Sequence, residues 1–103
     1  MIKVSVLYPK TADSHFDIDY YCNRHMPMVK EKLGAALQGM SVDHGLGGGA
    51  PGSPPAYAAM GHLLFASVDA FQAAFGPHAE AIMNDIPRYT NVEPLILISE
   101  IKL

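Results

Sequence analysis

Near its C-terminal end the chain runs Glu93-Pro94-Leu95-Ile96-Leu97-Ile98-Ser99-Glu100-Ile101-Lys102-Leu103, and this segment restricts the fold more than any other. It is short, aliphatic and opened by a proline, so it reads as a strand over 93–103. Successive strand side chains point to opposite faces, which puts Leu95, Leu97, Ile101 and Leu103 on one side and Ile96 and Ile98 on the other. A strand over 57–66 does the same, with Leu63 and Phe65 against Met60, Leu64 and Ala66. A sheet apolar on both faces must have both covered or expose a sticky patch.

The remaining segments show what is available as cover. Ile2, Val4, Val6 and Tyr8 alternate with Lys3, Ser5 and Leu7, a strand ended by Pro9. A helix follows from about Asp17 to Leu33, with Ile18, Cys22, Val29 and Leu33 as its apolar stripe and Gly34 as its stop. A strand over 37–44, weakened by Gly39, leads into residues 45–55, where five glycines and three prolines mark a loop. Ser67 caps a helix over 68–75, Gly76-Pro77 breaks it, and a short helix over 78–85 ends before Pro87. The order βαββαβ predicts an α+β, ferredoxin-like antiparallel sheet with both helices on one face, as a single domain over 1–103. Helices on one face leave the other bare. A second copy of the chain is the simplest cover, so a homodimer is expected.

Composition excludes several classes of partner. The charged fraction is 17%, the net charge is −3, and the seven Lys and Arg are scattered. No basic stripe forms for nucleic acid. No apolar run approaches the roughly 20 residues of a membrane span. The first eight residues are too short for a secretion signal and alternate like a strand. Cys22 is the only cysteine, which rules out an intrachain disulfide framework. A cytoplasmic protein with no nucleic-acid or membrane partner is expected.

The chemistry is concentrated in Phe16-Asp17-Ile18-Asp19-Tyr20-Tyr21-Cys22-Asn23-Arg24-His25-Met26-Pro27. Asp17 is a good N-cap, and Phe16 and Tyr21 are spaced for a hydrophobic staple. Tyr21 and His25, four apart, share a helix face. Pro27 has no N–H to offer the carbonyl of Asn23 and disfavours helical geometry at Met26, so a bend or restart is expected right after His25.

The combination Phe16-Asp17, Tyr20-Tyr21 and His25-Met26-Pro27 resembles the signature of the EthD-like proteins. Gly61-His62-Leu63, Ser67-Val68-Asp69-Ala70-Phe71, Pro77-His78-Ala79 and Asp85-Ile86-Pro87 with Tyr89-Thr90 extend the resemblance over nearly the whole chain. The family takes its name from ethyl tert-butyl ether degradation. The resemblance implies a dimeric α+β barrel, two ferredoxin-like sheets packed face to face around a small apolar cavity. Similar proteins on that fold include cofactor-free decarboxylases, lactone isomerases, polyketide cyclases and small monooxygenases.

His25 is the leading catalytic candidate, because an imidazole exchanges protons near neutral pH. Its alternative role is a buried histidine bonded to a carbonyl freed by Pro27. Tyr20 and Tyr21 are candidates to orient it or to hold a developing oxyanion. His62, in phase with Met60 and Leu64, joins His25 only if that strand face lines the cavity; Tyr8 and Tyr89 are candidate rim groups for substrate. Cys22 and His25 lie three apart, but a metal site needs three or four ligands, and no metal or other cofactor is expected. Gly45-Leu46-Gly47-Gly48-Gly49-Ala50 matches a dinucleotide fingerprint only on paper, because prolines and a strand follow where a helix is required. A flexible flap over the barrel mouth is the fairer reading of that loop. Two functions follow: a cofactor-independent acid–base enzyme acting on a small apolar organic molecule, or a non-catalytic ligand-binding or accessory protein.

Overall fold

In the computed structural model all residues, 1–103, are described. Four strands, β1 (Ile2–Pro9), β2 (Gly39–His44), β3 (Tyr57–Phe65) and β4 (Leu95–Glu100), form one sheet in the order β2-β3-β1-β4. Every pairing is antiparallel. Between β1 and β2 lie the helical segments α1 (Ile18–Tyr20) and α2 (Met26–Leu33), and between β3 and β4 lie α3 (Val68–Phe75) and α4 (Ala79–Asp85). This is the α+β order read from the periodicities. Three strands are shorter than expected: β2 starts at Gly39, β3 ends at Phe65, and β4 runs only from Leu95 to Glu100.

Register decides what faces what. Ile2, Val4, Val6 and Tyr8 stand beside Phe65, Leu63, Gly61 and Ala59, and this face packs under the helices. Met26, Val29 and Leu33 from α2 and Ile82 from α4 close the core over it. The outer face carries Ser5 beside His62, Leu7 beside Met60, and Leu95 and Leu97 from β4. The helical layer does not reach β4. Leu95, Ile96, Leu97 and Ile98 are 41–54% exposed, although Ile96 and Ile98 stand beside Val6 and Val4 on the helix-facing side. The strand is therefore uncovered on both faces.

The first helix changes type right after His25, where a bend or restart is expected. Asp17 caps it as read, its carboxylate accepting from the Tyr20 N–H at 3.0 Å, and Phe16 meets the Tyr21 ring at 5.1 Å. Between α1 and α2, however, residues Tyr21–His25 form a π turn, and the Met26 N–H reaches back to the Tyr21 carbonyl. Met26 keeps helical dihedrals. The wider turn absorbs the disturbance before Pro27, so α2 begins at Met26 with no residue leaving helical dihedrals. Gly34 then ends α2 at φ +60, a conformation that favours glycine.

Residues 45–56 join β2 to β3 as a loop tied to the strand ends, by Gly45 N–H to the Ala58 carbonyl and by Lys10 N–H to the Ala56 carbonyl. No helix follows the glycines, in keeping with rejection of a dinucleotide turn. No helix is long and apolar enough to cross a membrane.

Candidate active site

A cavity of about 50 Å³ lies between the helices and the sheet within one chain. It is distinct from the inter-sheet cavity that the resemblance implies, because Val6, Gly61 and Leu63 on its floor all belong to the helix-facing side. Eleven of its 14 lining residues are hydrophobic. Tyr8, Tyr21 and His25 are the lining residues whose side chains carry polar atoms, and Met83, Pro94 and Ile96 line it on the β4 side. No residue of the 45–56 loop lines it.

The π turn positions His25. By widening the helix it carries the imidazole onto the inner face, where the side chain is only 4% exposed. The ring stacks on Tyr21, with centroids 5.4 Å apart and planes 14° from parallel. His25 Nδ1 lies 2.9 Å from Asp85 Oδ2 at the end of α4. A carboxylate only accepts, so Nδ1 carries the proton and Nε2 is left with a lone pair. The Tyr89 hydroxyl stands 3.4 Å from Nε2, a long contact, while Tyr89 and Tyr8 bind each other at 2.6 Å. Asp85 is held in turn: the Tyr20 hydroxyl donates to Oδ1 at 2.8 Å, and Arg88 Nε lies 3.5 Å from the same oxygen.

The segment carrying Tyr89 is clamped to the start of the first helix. Asp17 N–H donates to the Tyr89 carbonyl at 2.7 Å. The Thr90 hydroxyl donates to the His15 carbonyl, and Asn91 bonds both His15 and Asp13. Phe16 fills the space between Tyr8, Tyr21 and Tyr89, with ring centroids 4.9–5.3 Å away.

Burial sets the protonation states. It pushes the His25 pKa below its ordinary value of 6.5, and the bond to Asp85 offsets this only in part. Burial alone would raise Asp85, but the bonds from His25 and Tyr20 outweigh it and hold the carboxyl below 3.8. Tyr8, Tyr21 and Tyr89 are all raised, chiefly by burial, and Tyr20 is raised by its bond to Asp85. At neutral pH the site is therefore a neutral imidazole, an ionised carboxylate behind it and protonated phenols around it.

These shifts fix the sign of a stability effect. A histidine with a lowered folded pKa binds fewer protons folded than unfolded, so its contribution is complete above about 6.5 and is lost as pH falls from there to the folded pKa. Asp85, also lowered, adds a second loss as pH falls below 3.8 through its folded value. Denaturant midpoints should therefore fall on going from pH 7.5 to 5. His25→Asn should flatten that first decline, and an equally steep decline in the variant would assign it to other groups.

The candidate residues do not all converge. His25 and Tyr21 share the cavity wall, and Tyr8 joins them, but at a fully buried position rather than at a rim. Tyr89 is also buried rather than at a rim, and it sits behind the wall as the link between Tyr8 and His25. Tyr20 touches Asp85, not the imidazole, and acts on His25 only through that carboxylate. His62 stands apart, because strand alternation puts it on the outer face with Ser5 Oγ at 2.8 Å and Asp43 at 3.3 Å. Cys22 is exposed while His25 is buried, and nowhere do three His, Cys, Asp or Glu side chains gather to hold a metal.

Asp85 is the functional residue that reading along the chain misses. Its signal is electrostatic: a carboxylate at a helix C-terminus opposes the helix dipole, so an acid there needs partners. Nothing local marks His25, 60 positions away, as that partner.

Comparison with known proteins gives a consistent family. The model of the EthD domain matches residues 10–93. No curated protein matches significantly. Among solved structures, an EthD-like protein from Ralstonia eutropha JMP134 is 47% identical, with 96% of this chain and 89% of that one covered and a TM-score of 0.92. An ethyl tert-butyl ether degradation (EthD) family protein from Bacillus halodurans C-125 is 20% identical over 99% of both chains, with a TM-score of 0.76. HapK from Hahella chejuensis shares the fold at 14% identity, covering 99% of this chain and 93% of its own, with a TM-score of 0.58.

Proposed function

The chain belongs to the EthD domain family, and from that footing we propose that it is a small cofactor-independent acid–base enzyme acting on a small apolar organic molecule. Isomerase, cyclase, decarboxylase and monooxygenase chemistry all occur on this fold. The observation that carries the reading is the Asp85–His25 pair, whose imidazole lines an otherwise apolar cavity. Asp85 fixes the tautomer, and burial keeps the ring neutral, so Nε2 is the free base of a residue that lines the cavity. In the simplest cycle Nε2 takes a proton from carbon beside a carbonyl, and the electron pair moves to the carbonyl oxygen. Asp85 steadies the imidazolium, which then returns the proton to carbon or oxygen. Tyr8 and Tyr21, held protonated, are the hydroxyl donors on the same wall.

Deuterium exchange tests this without knowledge of the substrate. The protein in D₂O with a panel of small enolisable ketones and lactones should speed C–H exchange above the buffer rate, followed by proton NMR. Panel members that bind at His25 and leave with every C–H intact would instead support the ligand-binding or accessory reading. That second reading has its own support: no buried side-chain N or O lacks a hydrogen-bond partner, so the network is complete without a substrate.

The working unit in this proposal is a cytoplasmic homodimer. β4 is paired on one edge only, and its four consecutive aliphatics are exposed on both faces. A second copy laid over them would also cover Met83 and Ile96 at the cavity mouth. Sedimentation at low micromolar concentration should return twice 11.1 kDa, with an interface of about 2,000 Å² or more. A stable monomer under those conditions would sink the dimer.

A further inference from the structure

We infer that the substrate enters the cavity uncharged, and that carboxylates and phosphates are excluded from it. The inference rests on the reading of the His25 cavity as the substrate site. No lysine or arginine is among the lining residues. The nearest fixed charge is the Asp85 carboxylate, directly behind His25, and it is negative. Arg88 is committed to the far oxygen of Asp85, and its side chain is 71% exposed. An anion entering this apolar space would lose its hydration, find no cation and face a like charge. His25 does not remedy this, because the same burial that makes it a base keeps it unprotonated.

The polar end selects a second property. Nε2 is a buried acceptor whose only partner, the Tyr89 hydroxyl, is 3.4 Å away, while Tyr89 is already engaged by Tyr8 at 2.6 Å. The one contact to Nε2 is thus long and readily exchanged for a shorter one, and the fitting molecule has an apolar body and one acidic hydrogen, on oxygen or on carbon beside a carbonyl. Two consequences follow. Decarboxylation of a free acid drops out of the reactions considered above, since its substrate carries the excluded charge. In a degradation route the protein must act on the neutral form, before any hydrolytic step uncovers a carboxylate.

Phenol and benzoate, both single-ring aromatics, one neutral and one anionic at pH 7.5, make the test. Binding to ¹⁵N-histidine-labelled protein is followed at the His25 imidazole by NMR. Met83→Ala, which widens the mouth, is run beside the wild type so that size does not decide the result. Phenol should move the His25 nitrogen signals and bind at least about tenfold tighter than benzoate in whichever form admits them, a floor of about 1.4 kcal/mol. Benzoate binding as tightly as phenol, or more so, would overturn the inference and leave the site reading standing. If neither probe moves His25 in either form, the cavity is not a substrate site, and both readings fall together.

Discussion

His25→Ala is expected to lower any exchange or turnover by about 10²–10⁴, the usual contribution of a positioned acid or base. The residue also has a structural share that its position before Pro27 does not disclose. The sequence reading treats the ring as a cavity group or as a structural one; the structure makes it both, with its side chain 4% exposed and both nitrogens facing partners. Alanine would leave a void and strip Asp85 of a donor, costing about 1–3 kcal/mol. In a domain of this size that lowers the melting temperature by roughly 4–8 °C per kcal/mol. His25→Asn separates the two roles. Its amide still offers an N–H toward Asp85, so it should recover much of the stability and none of the basicity. Activity surviving in either variant would show that another group takes the proton.

Gly61→Ala should be the most damaging small change in the sheet, and Tyr21→Phe should largely repair it. A Cβ on Gly61 would overlap the Tyr21 hydroxyl and stand 3.3 Å from Tyr21 Cζ. The phenol has no room to retreat, being 1% exposed and packed against Tyr8, Phe16, His25 and Tyr89. Overpacking of this kind costs about 1–3 kcal/mol. Because Tyr21 stacks on His25, the displaced ring should disturb the imidazole signals as well. Phenylalanine at position 21 removes the overlapping oxygen, so the double variant should be more stable than Gly61→Ala alone. Equal stability of the two would mean that the strand yields instead of the ring.

The elements and their order were legible because each announces itself locally: Pro9 and Gly34 as stops, Asp17 and Ser67 as caps. The two-sided character of β4 was legible too, since alternation needs no partner to be read. The site was legible only in half. His25 and Tyr21 sit within one turn and declare their shared face, but the π turn that aims them depends on packing. Asp85, Tyr8 and Tyr89 reach His25 only through tertiary structure. His62 shows the converse: its strand phase was read correctly, but the helix-facing side of β3 could be assigned only from the register with β1.

The hydrogen bond between Tyr8 and Tyr89 joins positions 81 apart, and Tyr20 and Asp85 are 65 apart. Contacts so distant along the chain close large loops and are slow to form relative to helices. On a ribosome, Tyr8, Tyr21 and His25 emerge long before Asp85 and Tyr89. Until those arrive, the phenols and the imidazole lack their native partners. The site is therefore a late product of folding, and a nascent or truncated chain ending before Asp85 lacks the carboxylate that aligns the base.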